Sequence, residues 1–343
     1  MGSPMTGLER VRACVSRTIP DRTPYLRWDN FELSDFVAPW ARSRKSKEPS
    51  GPRVKEWTDK WGCRWESLDS SAGQVVSHPI NAPEDYETYR MPEPEIDLPG
   101  LRANRAEYGD RVCYGGLGFF FFELLEKVRE FSGAMMDLAV ERDRLDPFLD
   151  RLQEYYIAMV DIYARSGLVD CIGVNEDLGL QDRLTVSPDM WREVFKPRYE
   201  AVYDRIHAHG LIVFQHSCGF VQDIIADLAE IGVDILELQQ LACMDMHVVA
   251  QRRGRMVITA PVDIQTVLPT GDWQRIECFQ RQLFRTFDTY AGGYIPQIYC
   301  DLAMLGISEA LGGRMEELIT HLCRWRENPD CWSFWKTGKA PKA

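Results

Sequence analysis

From about residue 110 the chain alternates short apolar runs with longer stretches of helical period. The runs are RVCYGGLG, VDCIGVNED, LIVFQHSCG, VDILELQQ, MVITAPVD and GGYIPQIYC, each closing on polar or glycine residues. Between them the period changes to that of helices, as in Pro147 to Ser166 with apolar Phe148, Leu149, Leu152, Tyr155, Tyr156 and Met159. A second such stretch, Pro188 to His209, opens on Ser187 as N-cap and Pro188 as first helical residue. Strand alternating with helix implies a parallel sheet. Upstream, residues 7 to 16 form an amphipathic helix and TPYLRWD a first strand, while WTDKWGCRWE suggests a hairpin followed by irregular sequence to about Leu101. TPYLRWD, one strand within residues 57 to 80 and the six runs make eight strands, the number that closes a (β/α)8 TIM barrel. The expected architecture is therefore α/β, one barrel domain over 1–343, with an N-terminal helical extension (1–22) and a loop-rich insertion (38–100). An open doubly wound sheet is the alternative, weakened because no GxGxxG or GxxxxGK[ST] stands at a strand end. The basic stretch from Ala41 to Arg53 reads as a solvated loop, and Phe119 to Phe122 as core at the start of an apolar helix.

Composition narrows the function classes. The 343 residues are 45% hydrophobic, enough for a large core, and carry a formal charge of -12, which repels phosphate backbones and argues against nucleic acid. Apolar residues are interrupted by charge too often for a spanning helix, and the start lacks the order of a secretory signal, so a cytoplasmic protein without a membrane partner is expected. MGSPMT at the start meets an acylation pattern but reads as a remnant ahead of Met5. The 10 cysteines lack a short repeating spacing, which points to reduced thiols rather than a disulfide framework.

In a barrel, catalytic groups collect at the C-terminal ends of strands. These ends carry Asn175, Glu176 and Asp177, then His216 and Cys218, Gln239 and Gln240, Asp263, and finally Tyr299 and Cys300. His216 and Cys218 form H-x-C, two residues that share one side of a strand and so can share a metal, with Cys300 as a later thiolate. Three N/S ligands and an open position are the arrangement of catalytic zinc, and two thiolates would leave a soft site suited to thiol activation and alkyl transfer. The competing reading is that free cysteines are small buried hydrophobes. Glu176 and Asp177 read equally as acid and base or as helix caps.

The segments VDCIGVNEDLGLQ, SPDMWREVFKPRYEAVYDRIHAHG and VFQHSCGFVQDIIADLAEIGVDILELQQ together resemble the uroporphyrinogen decarboxylase-like superfamily, in its methyltransferase branch. LERVRACVSRTIPDRTPY, DKWGCRW, PVDIQTVLPTG and YAGGYI extend the resemblance over most of the chain. It implies a (β/α)8 barrel and zinc held by His216, Cys218 and Cys300. It also implies methyl transfer between a small-molecule methyl donor or thiol acceptor and a corrinoid (cobalamin) on a separate protein. Cys300 follows QIY rather than lying in a glycine-rich sequence, which keeps Glu176 or Asp177 open as the third ligand. Glu176 and Asp177 are the catalytic candidates, and Asp29, Asn175, Gln240, Asp263 and Tyr299 the substrate-binding ones. True decarboxylases carry an Arg-rich first strand, whereas YLRWDNFE has one Arg and would set Asp29 and Glu32 against carboxylates. A lyase acting on a small polycarboxylate and a silent ligand-binding barrel stand as alternatives, and a homodimer is one open assembly.

Overall fold

The computed structural model describes residues 4–39, 54–68, 73–289 and 291–327. The basic stretch expected to be a solvated loop, the first three residues and Cys331 lie outside them.

Ten strands are described: β1 (Phe36–Val37), β2 (Val54–Thr58), β3 (Arg64–Leu68), β4 (Gln74–Ser77), β5 (Val112–Phe119), β6 (Cys171–Asn175), β7 (Ile212–Ser217), β8 (Ile235–Leu238), β9 (Val257–Ala260) and β10 (Tyr294–Pro296). Seven form one parallel sheet in the order β1-β5-β6-β7-β8-β9-β10. All six runs after residue 110 are thus strands of that sheet, and their near-continuous burial is what a parallel sheet covered on both faces requires.

The first two expected barrel strands are corrected. TPYLRWD contributes one parallel bridge, Leu26 to Gln297, beside β10. The amides on either side of Leu26 go to side chains, that of Tyr25 to Asp35 Oδ2 (2.8 Å) and that of Arg27 to Ser34 Oγ (3.0 Å), so no ladder propagates. The region 57–80 does not join the parallel sheet. It folds as the separate antiparallel sheet β2-β3-β4, in register Trp57 to Trp65, with β3 alternating between exposed and buried side chains. The place expected for it is taken by β1, a two-residue strand paired with β5 through Phe36 and Val112. The Asp35 amide donates to the Tyr25 carbonyl (2.8 Å), linking the Leu26 segment to the β1 edge.

Helix Gly7–Val15 forms as expected, closed at its start by a capping box between Thr6 and Glu9. Beyond it, Arg17 donates to the carbonyls of Met256 (2.7 Å) and Gly292 (2.7 Å), just ahead of β9 and β10. This segment therefore packs at the end of the sheet where the strands begin, which leaves the opposite end for chemistry. The helix expected over 188–209 breaks into Pro188–Val194 and Lys196–Ala208, because Pro197 has no amide to give and crowds the preceding turn. The 147–166 helix starts earlier, at Arg142. Among the described residues no helix is long and apolar enough to cross a membrane.

Inside the curled sheet, Leu26, Phe36, Val112, Cys171, Ile212, Ile235, Val257 and Ile295 make one apolar cluster. Above them Tyr114 packs edge-on to Trp28 (5.3 Å) and Phe214 (5.5 Å) as an aromatic floor. Gly173 makes room for that floor: a Cβ there would lie 1.6 Å from the Tyr114 hydroxyl. Of the four consecutive phenylalanines, Phe120, Phe121 and Phe122 are core, while Phe119 stacks on Trp65 (6.0 Å).

Candidate metal centre

The register of the parallel sheet lines up its inner face. Neighbouring pairs Asn175–His216, His216–Glu237 and Glu237–Thr259 run across β6, β7, β8 and β9, so an imidazole and a carboxylate become lateral neighbours. His216 Nδ1 lies 3.1 Å from Glu237 Oε2. Its Nε2 faces the cavity, 3.3 Å from Asp177 Oδ1 and 3.5 Å from Cys218 Sγ. These three donor atoms lie within 4.8 Å of one another.

Asp177 reaches this position because the loops after β6 and β7 are bonded together. The Gly179 amide donates to the Cys218 carbonyl (3.2 Å), the Phe220 amide to the Leu180 carbonyl (2.7 Å), and the Cys218 amide to Asp177 Oδ1 (2.9 Å). The close approach requires glycine on both sides. Gly219 has φ +72°, and a Cβ on it would meet the Gly179 carbonyl oxygen at 2.1 Å. The glycine of HSCG is therefore explained by backbone contact, and Gln240 supports it by accepting from the Gly219 amide (2.6 Å).

The electrostatics agree with a cation position. Burial opposes a charged imidazole, yet hydrogen bonds to Asp177, Cys218 and Glu237 hold the His216 pKa well above its ordinary value. Asp177 is held low, because its bonds to His216 and the Cys218 amide outweigh its burial. Burial pushes the Cys218 thiol up despite the opposing effect of His216. Nitrogen, sulfur and oxygen donors in this spacing suit zinc: donors about 2.0–2.3 Å from a tetrahedral ion stand roughly 3.3–3.8 Å apart. With an ion held there, Glu237 would take the outer part of a carboxylate–histidine–metal arrangement, fixing the ring and its tautomer.

The cavity beside these groups has a volume of about 440 Å³ and is walled by Trp28, Tyr114, Phe119 and Tyr299, with Asn175, Gln239 and Cys300 at its polar positions. Cys300 lines it but falls outside the Asp177–His216–Cys218 group, so the third donor brought to the pair is Asp177. Glu176 is turned away and fully buried. It accepts from the amides of Phe122 (2.8 Å) and Glu123 (3.3 Å) and from the Tyr199 hydroxyl, which makes it the anchor for the start of helix Phe121–Arg129. Asp29 pairs with Arg27 through two bonds (2.7 and 2.8 Å) outside the cavity lining. Asp263 accepts from the amides of Gln265 (2.9 Å) and Thr266 (3.2 Å), closing the turn after β9. Of the expected substrate-binding residues, Asn175 and Tyr299 line the cavity, Gln240 braces its loop, and Asp29 and Asp263 serve local structure.

Two residues at this site escaped the sequence reading. Glu237 carried a signal, an acid inside the apolar run VDILEL and two positions from Ile235, hence on the inner face. Glu123 carried none, since an acid opening a helix reads as a solvated or capping residue. It lines the cavity, accepts from the Asp177 amide (3.3 Å), and is pushed up to about 7 by burial and by the nearby Asp177 charge. Replacing Glu237 with Gln keeps the shape but removes the charge behind the imidazole. Zinc affinity measured by competition with a chromogenic chelator is expected to fall about 10–100-fold, with the melting temperature little changed.

The fold is shared with a methyltransferase from Methanosarcina mazei, at TM-score 0.66 and 18% identity over 92% of this chain and 99% of that one. A chitinase from Chromobacterium violaceum aligns at TM-score 0.41 and 11% identity, over 91% of this chain and 94% of that one. No curated protein matches the sequence. The model of the family described as uroporphyrinogen decarboxylase (URO-D) matches residues 60–305, a span that contains β3 to β10, the H-x-C pair and both loops that bring Asp177 to it. The chain belongs to the uroporphyrinogen decarboxylase (URO-D) family.

Proposed function

We propose that this protein is a zinc-dependent methyltransferase that moves a methyl group between a small-molecule donor or thiol acceptor and a corrinoid carried on a separate protein. The observation that carries this reading is the convergence of Asp177, His216 and Cys218, with Glu237 behind the imidazole, beside an aromatic cavity that Asp177, His216 and Glu237 line. The Methanosarcina mazei methyltransferase of the same fold supports it, and the reading includes closure of the sheet into a (β/α)8 barrel through the Leu26 segment.

Asp177, His216 and Cys218 would hold the ion. One carboxylate and one thiolate neutralise a divalent charge, much as the two thiolates considered from sequence would. Bound there, zinc supplies Lewis acidity that favours the thiolate form of an incoming thiol or polarises an ether oxygen or other donor atom. The protein's own groups do the rest. Glu237 holds the proton on His216 Nδ1, leaving Nε2 to face the cavity. Glu123, on the cavity wall beside Asp177, can take the proton of an incoming thiol or return one to a departing group. Trp28, Phe119 and Tyr299 restrict water around the reacting groups. Cys300, on the same wall, is a substrate-side thiol rather than the third ligand.

The test is anaerobic incubation with Co(I) cobalamin and methylated donors, or with methylcobalamin and thiols, followed by the visible spectrum of the corrinoid. Turnover that stops on chelation and returns with zinc is the expected result. Carbon dioxide release from a polycarboxylate, indifferent to chelator, would replace this reading with decarboxylation.

A further inference from the structure

The charge of the cavity says which substrates it accepts. Its wall carries three carboxyl groups, Glu123, Asp177 and Glu237, against one imidazole, and among the described residues that line it there is no Lys or Arg. A second cavity of about 440 Å³ shares Tyr114 and Asn175 with the first, and its one charged lining residue is again an acid, Asp97. Of the nearby cations, Arg27 pairs with Asp29 and Glu316, and Lys127 pairs with Glu126 while lying 5.5 Å from the Phe119 ring centre and acting on Glu123 from behind the wall. A divalent ion on Asp177 and Cys218 cancels their charge and leaves Glu237 uncompensated except through its bond to His216. Away from the ion, carboxylate, sulfonate or phosphate groups would find no cationic side chain on this wall and would meet like charge.

Aromatic faces complete the pattern. Trp28, Tyr114, Phe119 and Tyr299 around acidic groups are the surroundings that bind a quaternary ammonium, whose charge is spread over methyl groups and attracted by ring faces. Resting on the methyltransferase reading for the identity of the reaction, we propose that the substrate presents a quaternary methylammonium head to this cavity. Demethylation of such a head is balanced: the C–N electron pair stays on nitrogen, the methyl passes to a Co(I) corrinoid that supplies the pair for the new bond, and a tertiary amine leaves.

The probes are choline, its neutral isostere 3,3-dimethylbutan-1-ol and the anion 3,3-dimethylbutanoate, titrated by calorimetry and tryptophan fluorescence into protein whose zinc content has been measured. Choline is expected to bind at least about tenfold tighter than the alcohol, with the anion weakest. Trp28→Phe is expected to weaken choline several-fold while leaving the alcohol unchanged. Equal binding of choline and alcohol, preference for the anion, or no saturable choline binding would overturn the cationic substrate and leave the metal-centred reading standing. Preference for choline in a protein that takes up no zinc would uphold the cation site and overturn the methyltransferase reading.

Discussion

His216→Ala is expected to lose zinc affinity by about a thousandfold or more and to reduce methyl transfer to background, because the substitution removes a ligand and also leaves acidic groups facing one another. In the intact protein the ring stands between Asp177 Oδ1 at 3.3 Å and Glu237 Oε2 at 3.1 Å. Without it, Glu237 is a nearly buried carboxylate, 7% exposed, with its charge unanswered. Such a group costs roughly 1–3 kcal/mol, so the variant should also melt earlier than wild type. Metal content and thermal unfolding check both parts. Wild-type zinc content in this variant would remove His216 from the ligand set.

Gly219→Ala should be the most damaging single methyl group near the site. The new Cβ would stand 2.1 Å from the Gly179 carbonyl oxygen, which belongs to backbone and cannot rotate away. The φ of +72° adds about 1–2 kcal/mol of strain for an L side chain. Relief requires the two loops to part, which breaks the Phe220–Leu180 and Gly179–Cys218 backbone bonds and withdraws Asp177 from His216. A stability loss of roughly 3 kcal/mol or more and a drop in zinc affinity of more than about tenfold are expected from chemical denaturation and chelator competition. Gly210→Ala is the control: φ is +70° but no atom lies within 4 Å of the added Cβ, so only the backbone strain applies. Equal effects at the two positions would show that loop contact contributes nothing to the site.

Much of this arrangement was legible in the sequence because it is written in periodicity. The six apolar runs after residue 110 became strands in the expected places, and their ends delivered Asn175, Asp177, His216, Tyr299 and Cys300 to one wall, with Cys218 beside His216 and Asp177. What escaped reading depended on contacts between segments remote in sequence. β1 is only two residues long, too short for alternation to show, whereas the hairpin region looked like a better strand and joined its own sheet. Glu176 and Asp177 are adjacent acids with equal prospects on paper. Chain direction after β6 separates them, sending Glu176 to the amides of Phe122 and Glu123 and Asp177 to the cavity. Cys300 resembled a ligand by its place at the end of a run, but strand position fixes a wall, not a distance. Asp263 and Asp29 likewise stand near strand ends and are taken up by a turn and by Arg27.

The proposed zinc site consists of Asp177, His216 and Cys218 and does not require Cys300. Elemental analysis of protein purified without added metal or chelator tests it, on wild type, Asp177→Asn and Cys300→Ser, each checked for folding by circular dichroism. Close to one zinc per chain is expected in wild type and Cys300→Ser, and its loss from Asp177→Asn. A folded wild type that takes up no zinc, or zinc retained in Asp177→Asn and lost in Cys300→Ser, would contradict it.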